Sequence, residues 1–258
     1  MLVFPQLSTG ASGQFPIARI RSRRTVVNEL ADGRVVRFAD EFAEAAWEVD
    51  LKELSSTERS AVEALFVASE GRLRRFTFLD PAGNLLAFSE LLSNEAWTRD
   101  PLVTVTTGVS DPLATMRASH LVNSGQANQG LGQQLDVPAS FVYCWSAWVK
   151  GSGTTTFSIG SLTRTFPVTA EWTRVEWGAS QGGSGTAVTF EFALGPGSAV
   201  DVFGLQVEPQ PGASGYKMTS AQAGVYANAR FASDDLKIVA EGLERERAQL
   251  RIVAVTEN

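Results

Sequence analysis

The sequence predicts a mainly β protein: a discontinuous β-sandwich domain with one α-helix, into which a second antiparallel β-sandwich, a jelly roll, is inserted. Three observations predict this. Short strand-like runs separated by turn residues dominate the chain. Helical periodicity is convincing only over residues 54–71. Charge and glycine content change near Asn84 and again near Thr219, which indicates separately built domains.

The predicted helix has recognisable signals at both ends. Ser55 suits the N-cap, and Glu58 stands three residues on, where a capping-box carboxylate accepts from the cap N–H. Gly71 directly follows the last periodic residue and is expected at C′ in the left-handed conformation. Alternation from Leu73 to Phe78 then predicts a strand that ends in the Asp80–Gly83 turn. The apolar stripe of the helix comprises Val62, Leu65, Phe66 and Ser69.

The flanking segments, residues 1–83 and 220–258, are expected to form one domain. The turn Ala31–Arg34 predicts a hairpin, and the alternation Trp47–Leu51 predicts a half-buried strand. The C-terminal pieces are too few to fold alone, so we expect them to complete the sheet begun by residues 15–80. They are predicted as strands at Tyr226–Phe231, Leu236–Ala240 and Gln249–Val255.

The middle segment, 84–219, is predicted to be the inserted jelly roll. Residues 85–219 hold 6 Lys+Arg and 10 Asp+Glu, about 12% charged, against about 28% in the flanks. They also hold 16 of the 23 glycines and five of the six tryptophans. The turn Asp80–Asn84 is the expected point of insertion. Strands are predicted at Val103–Thr107, Gly132–Val137, Phe141–Lys150, Thr155–Gly160, Thr163–Val168, Thr173–Trp177, Ala187–Leu194 and Val200–Val207.

Composition narrows the possible functions. The net charge of −6 disfavours nucleic-acid recognition, and no apolar run is long enough to predict a membrane span or a signal peptide. A single cysteine, Cys144, and a single histidine, His120, disfavour a disulfide framework and clustered metal ligands. We therefore expect no membrane insertion, no metal and no cofactor.

Tryptophans are the candidate ligand-binding residues: Trp145, Trp148, Trp172 and Trp177. Trp145 and Trp148 are three apart in one predicted strand, so they face opposite sides, and one of them is expected in the core. Trp172 and Trp177 are separated by an odd number of positions, so in a strand they would also face opposite sides. For each tryptophan, core packing and ligand contact remain alternatives.

Three arginines after the helix are candidate inter-subunit residues: Arg72, Arg74 and Arg75. The alternative is a solvated strand face on which these side chains pair with Glu58, Glu63 or Glu70. The sequence does not decide between the two.

No catalytic residue is predicted. His120 is interpreted as a strand residue with a local partner, because no nucleophile elbow accompanies it. A glycosidase needs two carboxylates at a defined separation. The candidates Glu171, Glu176, Glu191 and Asp201 are instead interpreted as solvated strand positions. We expect a protein that is not an enzyme.

The stretch around the helix resembles phage distal tail proteins of the gene-transfer-agent type. The motif is Gly71-Arg72-Leu73 followed by Phe76, Phe78, Asp80 and Pro81, and the likeness covers about residues 1–83. The resemblance implies a subunit of a ring, expected to be a hexamer, that joins the tail tube to tip or hub proteins in the virion baseplate.

The middle segment is similar to carbohydrate-binding-module-like jelly rolls found in phage tail and fibre proteins. The matching pieces are 84–98, Gly132-Gln133, Ser146–Lys150, Glu171–Arg174 and Phe203–Glu208, with Tyr216 after them. This resemblance implies a peripheral module that contacts partners or a host-surface glycan. A ring-forming tail subunit is thus the first interpretation, and a glycan-binding host-recognition protein is the alternative.

Overall fold

The computed structural model describes residues 1–243 and 245–256, with the backbone alone for residues 40–42. The described part contains one helix, α1 (Ser56–Ala68), and sixteen strands. The strands are β1 (Ala18–Glu29), β2 (Val35–Leu54), β3 (Phe76–Leu79), β4 (Thr98–Arg99), β5 (Val103–Val109), β6 (Ala118–Asn123), β7 (Gln129–Leu135), β8 (Tyr143–Ser152), β9 (Thr154–Ile159), β10 (Leu162–Pro167), β11 (Thr173–Ala179), β12 (Val188–Leu194), β13 (Ala199–Glu208), β14 (Val225–Phe231), β15 (Lys237–Gly242) and β16 (Arg245–Val255).

The chain divides into two compact units. Unit 1 comprises Met1–Leu7, Gly13–Phe78 and the chain from Tyr226 onward. Unit 2 comprises Ser8–Ser12 and Leu79–Val225. The mainly β fold with a single described helix and antiparallel sandwich sheets, predicted from the sequence, is confirmed.

Unit 1 is built on a six-stranded sheet in the order β1-β2-β16-β14-β3, with β15 pairing β16. We call it sheet 1. The expected hairpin joins β1 to β2, with Gly33 at φ +80° in its turn. Trp47, Val49 and Leu51 of β2 are buried in alternation, as their pattern predicts. The last strand, β16, pairs antiparallel with β2, so C-terminal residues complete the sheet that the N-terminal ones begin.

The helix begins as its sequence predicts and ends differently. Ser55 Oγ accepts from the Glu58 N–H, and Glu58 Oε2 accepts from the Ser55 N–H at 2.9 Å, so the capping box is confirmed. At the other end, Glu70 occupies C′ at φ +51° and Gly71 occupies C″ at φ +61°. The Gly71 N–H donates to the Phe66 carbonyl at 3.1 Å, which completes a Schellman motif. Placing Gly71 at C′ was therefore wrong by one residue. A Cβ on Gly71 would lie 2.6 Å from Asp234 Oδ1 and 3.2 Å from Asp234 Cα, so any larger residue there would crowd Asp234.

Unit 2 contains two five-stranded sheets, which we call sheet 2 (β10-β9-β12-β7-β4) and sheet 3 (β11-β8-β13-β6-β5). A single core of buried apolar side chains lies between them, with Trp145 stacked on Phe157 at a centroid distance of 5.0 Å. All eight strands predicted in this region are present, with ends shifted by a few residues. Strands β4 and β6 were not predicted as runs, although His120 of β6 was interpreted as a strand residue.

No helix in the described part of the chain has the length and apolarity needed to span a membrane.

Candidate functional site: an aromatic and arginine-lined pocket on sheet 3

Strand β8 sends alternate side chains to opposite faces of sheet 3. Trp145 and Val149 point into the core and are fully buried. Trp148, with the opposite parity, is half-buried on the outer face. Because side chains alternate along a strand, the sequence itself separates these two tryptophans. The outer face of sheet 3 therefore carries an aromatic ring that the core does not use.

A bulge in β13 brings a second ring beside Trp148. Phe203 pairs with Trp148 across the sheet, and the register shifts between Phe203 and Gln206. Gly204, within the bulge, has φ +67°. A Cβ on Gly204 would lie 3.0 Å from Trp148 Cε3 and 3.2 Å from Tyr216 Cδ2. The glycine thus permits both the backbone conformation and the close approach of two aromatic rings.

The segment 209–219, which we call the cover loop, supplies the third ring, that of Tyr216. The loop is fastened by Glu208, a fully buried carboxylate at the end of β13. Glu208 accepts from Gln206 Nε2 at 2.7 Å, from the Ser214 N–H at 2.9 Å and from Lys217 Nζ at 2.8 Å. Buried charges are stable only when paired and hydrogen-bonded in this way. The carboxylate therefore fixes the loop that holds Tyr216.

The three rings and the cover loop enclose an open pocket of about 440 Å³, which we call the Trp148 pocket. Ring centroids are 5.9 Å apart for Trp148 and Phe203, 6.3 Å for Trp148 and Tyr216, and 5.2 Å for Phe203 and Tyr216. Its volume falls within the range of ligand sites, about 300–1,000 Å³. The lining residues are Pro112, Leu113, Arg117, Trp148, Arg174, Phe203, Gly215, Tyr216 and Met218.

Two arginines place guanidinium groups over these rings. Arg174 Cζ lies 4.4 Å from the centre of the Trp148 ring, and Arg117 Cζ lies 5.2 Å from that of Phe203. Arg174 also donates from Nη2 to Ser146 Oγ at 3.2 Å and to the Ser214 carbonyl at 2.5 Å. The pocket thus combines apolar ring surface with charged hydrogen-bond donors.

Arg117 is held by two carboxylates at the rim of the pocket. Its Nη1 lies 3.2 Å from Glu90 Oε1, and its Nε lies 3.7 Å from Asp111 Oδ2. Burial raises the pKa of Glu90, while the Arg117 charge acts against that rise. Burial also acts to raise the pKa of Asp111, but hydrogen bonds from Thr115 and from nearby backbone N–H groups outweigh it and lower that pKa. Asp111 is therefore a stable anion that positions the rim segment.

Tyr216 is a neutral hydrogen-bonding group. Its hydroxyl lies 2.8 Å from Ser89 Oγ, and burial raises the pKa of the phenol. The Cys144 thiol, buried beneath the same face, has its pKa raised to about 12 by burial and by the nearby charges of Glu176 and Glu208. Neither group is poised to act as a nucleophile or a base near neutral pH.

The structure separates the four predicted ligand-binding tryptophans. Trp145 has no exposed surface, and its indole N–H donates to the Ser158 carbonyl at 3.1 Å. Its inclusion among ligand contacts was therefore wrong, since a fully buried ring cannot meet a ligand. Trp148 lines the pocket. Trp177 pairs with Trp145 across the sheet and packs against the core, and Trp172 is half-buried in the segment before β11.

The three candidate inter-subunit arginines are exposed in unit 1. Arg72 Nε pairs with Asp234 Oδ2 at 2.9 Å, and Arg74 pairs with Glu70, one of the acidic partners considered from the sequence. An inter-subunit role for Arg72, Arg74 and Arg75 stays a prediction.

The carboxylates considered for glycoside hydrolysis are dispersed over unit 2. Glu191 is on β12 of sheet 2, whereas Glu176 and Asp201 are on β11 and β13 of sheet 3. Asp201 Oδ1 lies 2.6 Å from His120 Nδ1, so the histidine has the local partner expected of it. Within residues 1–243 and 245–256, no cluster of three or more His, Cys, Asp or Glu side chains is placed to hold a metal ion.

Two other concave surfaces are less suited to an organic ligand. One, of about 560 Å³ on sheet 1, is lined by residues such as Glu48, Asp50 and Arg251, without an aromatic ring. The second, of about 280 Å³ on sheet 2, has Gly130 and Gly132 along its floor and also lacks a ring. Ligand sites are mostly apolar with a few polar groups, so the Trp148 pocket fits best.

Sequence reasoning missed most of the pocket: Arg117, Arg174, Phe203, Tyr216 and Met218 were not among the candidate site residues. Arg174 and Phe203 could have been recognised from the sequence, because each occupies a strand position whose side chain alternates with core-facing neighbours and so points outward. Gly204 carries a signal of its own, because an isolated glycine within a strand pattern indicates a bulge. The convergence of these residues depends on strand order, which no local pattern shows.

Comparisons with known proteins gave structural similarities alone: no protein-family model matches the sequence, and no curated protein matches it. The enzymatically active domain of bacteriophage CBA120 tailspike protein 4 is 18% identical over 51% of this chain and 22% of that chain, with a TM-score of 0.41. The CBM22-1 xylan-binding domain from Paenibacillus barcinonensis Xyn10C is 14% identical over 52% of this chain and 96% of that chain, with a TM-score of 0.38. TmCBM61, solved in complex with β-1,4-galactotriose, is 16% identical over 48% of this chain and 97% of that chain, with a TM-score of 0.34. Ligand and role are therefore inferred from the geometry of the pocket.

Proposed function

We propose that this chain is a non-enzymatic glycan-binding protein and that unit 2 holds the sugar in the Trp148 pocket. The observation that carries the proposal is the convergence of Trp148, Phe203 and Tyr216 around an open cavity on a sheet face. Aromatic rings offer large apolar surface with a defined geometry. A sugar ring presents C–H groups on its faces and hydroxyls on its edge, so it needs both ring surface and hydrogen-bond partners.

The polar groups of the pocket suit the hydroxyl edge of such a ligand. Arg174 and Arg117 bring guanidinium donors, and the cover loop contributes backbone groups around Gly215. Leu113 and Met218, at the rim, are 66% and 64% exposed. Exposed apolar side chains beside a cavity are typical of surfaces that meet a partner.

Glycan-array binding with titration calorimetry tests the proposal directly. We expect the full chain to bind a subset of envelope or capsular polysaccharides, and Trp148→Ala to reduce affinity about tenfold or more, since buried aromatic contacts dominate such sites. Trp172→Ala is the matched control, because Trp172 lies outside the pocket lining. The proposal fails if no glycan binds, or if the two variants lose affinity equally while both stay folded by near-ultraviolet circular dichroism.

A second candidate function, assembly into a virion tail ring, is favoured by the β1–β2 hairpin of unit 1. Every residue from Arg23 to Glu29 is exposed, so both hairpin faces meet solvent. The exposed side chains nevertheless include Val27 (55%) and Phe38 (51%). An isolated two-stranded hairpin is marginally stable in water, and exposed apolar patches mark contact surfaces. The resemblance of residues 1–83 to distal tail proteins supports the same assignment, with tail tube and hub proteins as further partners.

The ring is tested by light scattering with size-exclusion chromatography and by negative-stain imaging. We expect a closed ring at high protein concentration and its loss in Phe38→Asp. Leu243→Asp is the control, because Leu243 is 97% exposed and lies outside the hairpin. A chain that stays monomeric alone and with tail proteins present excludes this function, without affecting the glycan-binding proposal.

A further inference from the structure

We infer that the Trp148 pocket selects an acidic sugar, one that carries a carboxylate. This inference rests on the proposed glycan-binding function and adds the chemical class of the ligand. It follows from what each arginine around the pocket already contacts.

Arg174 brings a positive charge that no carboxylate contacts within ion-pair distance. Its Nη2 hydrogen bonds go to two neutral acceptors, Ser146 Oγ and the Ser214 carbonyl. Among the described residues, Arg174 forms no ion pair and Nη1 donates no hydrogen bond. Glu176, two residues along the same strand face, does not pair with it. The guanidinium is half-buried against Trp148 and lines the cavity.

The other cations near the pocket are compensated. Arg117 lies within ion-pair distance of Glu90 and Asp111. Lys217 pairs with the buried Glu208 at 2.8 Å. Of these three cations, Arg174 is therefore the one without an ion pair in the described part of the chain, and a bound ligand is in a position to supply an anion.

A sugar carboxylate satisfies this group better than a hydroxyl does. Hydrogen bonds between an arginine and a carboxylate are shorter and about twice as strong as neutral ones, and the planar guanidinium matches carboxylate geometry. Arg174 is half-buried against the aromatic ring of Trp148, so its attraction to a carboxylate is screened less than on a fully exposed surface. The ring of the same sugar contacts the aromatic wall.

The experiment uses the full chain and an array of acidic polysaccharides together with their carboxyl-reduced forms. Reduction keeps the rings and linkages and replaces each carboxylate with a neutral CH₂OH group. We expect acidic members to bind about 10- to 100-fold more tightly than their reduced partners, with affinity falling as salt rises. Arg174→Gln should remove this difference. Arg164→Gln, which changes an arginine lying over Phe166 on sheet 2, should leave it intact.

A second variant keeps the inference testable even if Arg174→Gln does not fold. Leu113 is largely exposed at the rim, so Leu113→Asp places a negative charge there with little effect on packing. It should weaken acidic glycans more than neutral ones. Binding that prefers the reduced partners, or that is indifferent to the carboxylate, overturns the inference and leaves glycan binding intact. Absence of binding to every acidic and neutral glycan overturns both.

Discussion

The guanidinium carbon of Arg174 lies 4.4 Å from the centre of the Trp148 ring, while Nη2 of the same group bonds to Ser214 in the cover loop. One side chain therefore joins strand β11, strand β8 and the loop. A partly desolvated cation–π contact contributes about 1–2 kcal/mol. The contact couples the shape of the pocket to the stability of unit 2.

Replacing Arg174 by glutamine should therefore destabilise unit 2 even without a ligand. We expect a loss of about 1–3 kcal/mol in the free energy of unfolding, because the cation–π contact and the bonds to Ser146 and Ser214 are lost together. Urea denaturation followed by tryptophan fluorescence measures it. Arg164→Gln, at an exposed cation–π pair, should cost under about 1 kcal/mol. If both variants lose the same free energy of unfolding, the contacts of Arg174 do not stabilise unit 2 as described.

The bulge at Gly204 gives a second prediction. Gly204→Ala adds left-handed strain of about 1–2 kcal/mol and a Cβ that lies 3.0 Å from Trp148 Cε3. Overpacking adds about 1–3 kcal/mol. Gly108→Ala is a matched control, since Gly108 has φ +82° with no atom within 4 Å of its Cβ position.

The measurements are thermal unfolding and glycan affinity. Gly204→Ala should lower both, whereas Gly108→Ala should lower the melting temperature by a smaller amount and leave affinity unchanged. A Gly204→Ala variant that binds like the wild type would show that the pocket does not depend on this close approach.

The ion pair between the buried Glu208 and the half-buried Lys217 gives a third prediction. Glu208→Gln leaves the Lys217 ammonium without its anion and places an amide N–H₂ against existing donors, which should cost about 1–3 kcal/mol because buried hydrogen-bonding groups lose their partners. Proteolysis should then cut the cover loop sooner than in the wild type. Asp32→Asn, at the exposed pair with Arg34, should leave stability and cleavage unchanged. An intact, protease-resistant cover loop in Glu208→Gln contradicts the role given to this carboxylate.

Acid should weaken unit 1 through Asp50. The two-fold hydrogen bond from Arg247, at 2.7 and 2.6 Å, holds the pKa of Asp50 below its usual value. A carboxylate with a lowered folded pKa contributes stability above its unfolded pKa, about 3.9, and loses that contribution as pH falls through the folded pKa. The free energy of unfolding should therefore decline below about pH 4.

Asp50→Asn removes the titrating group and provides the comparison. Its unfolding free energy should be lower than that of the wild type at neutral pH, and the difference should shrink as pH falls from 4 to 2. If the unfolding free energies of the two proteins change in parallel with pH over that range, Asp50 is not the group through which acid weakens unit 1.

Local signals in the sequence were sufficient wherever neighbouring residues decide the structure. Ser55 and Glu58 fix the start of α1 because a capping box is a contact over three residues. The Gly71 position was off by one because Glu70 accepts φ +51°, and residue type alone does not exclude that conformation for glutamate. The alternation of side chains along a strand was sufficient to place Trp145 and Trp148 on opposite faces.

The pocket could not be predicted because its parts meet through long-range pairing. Trp148 contacts Phe203 because β8 and β13 are neighbours in sheet 3, and Tyr216 arrives through a loop held by Glu208. The bulge at Gly204 also interrupts the alternation of side chains along β13, so that Val202 and Leu205 both face the core. Each step depends on sheet order, and periodicity carries no information about it.

The pairing of β2 with β16 has a consequence for the order of events during protein synthesis. Asp50 and Arg247, which join these strands, are 197 residues apart in the sequence. The whole of Leu79–Val225 leaves the ribosome between them, and domains generally fold as units while the chain emerges. Unit 2 can therefore fold before β16, the strand that pairs with β2, has been synthesised. The exposed edge of β2 is the part of the nascent chain most in need of protection from other chains.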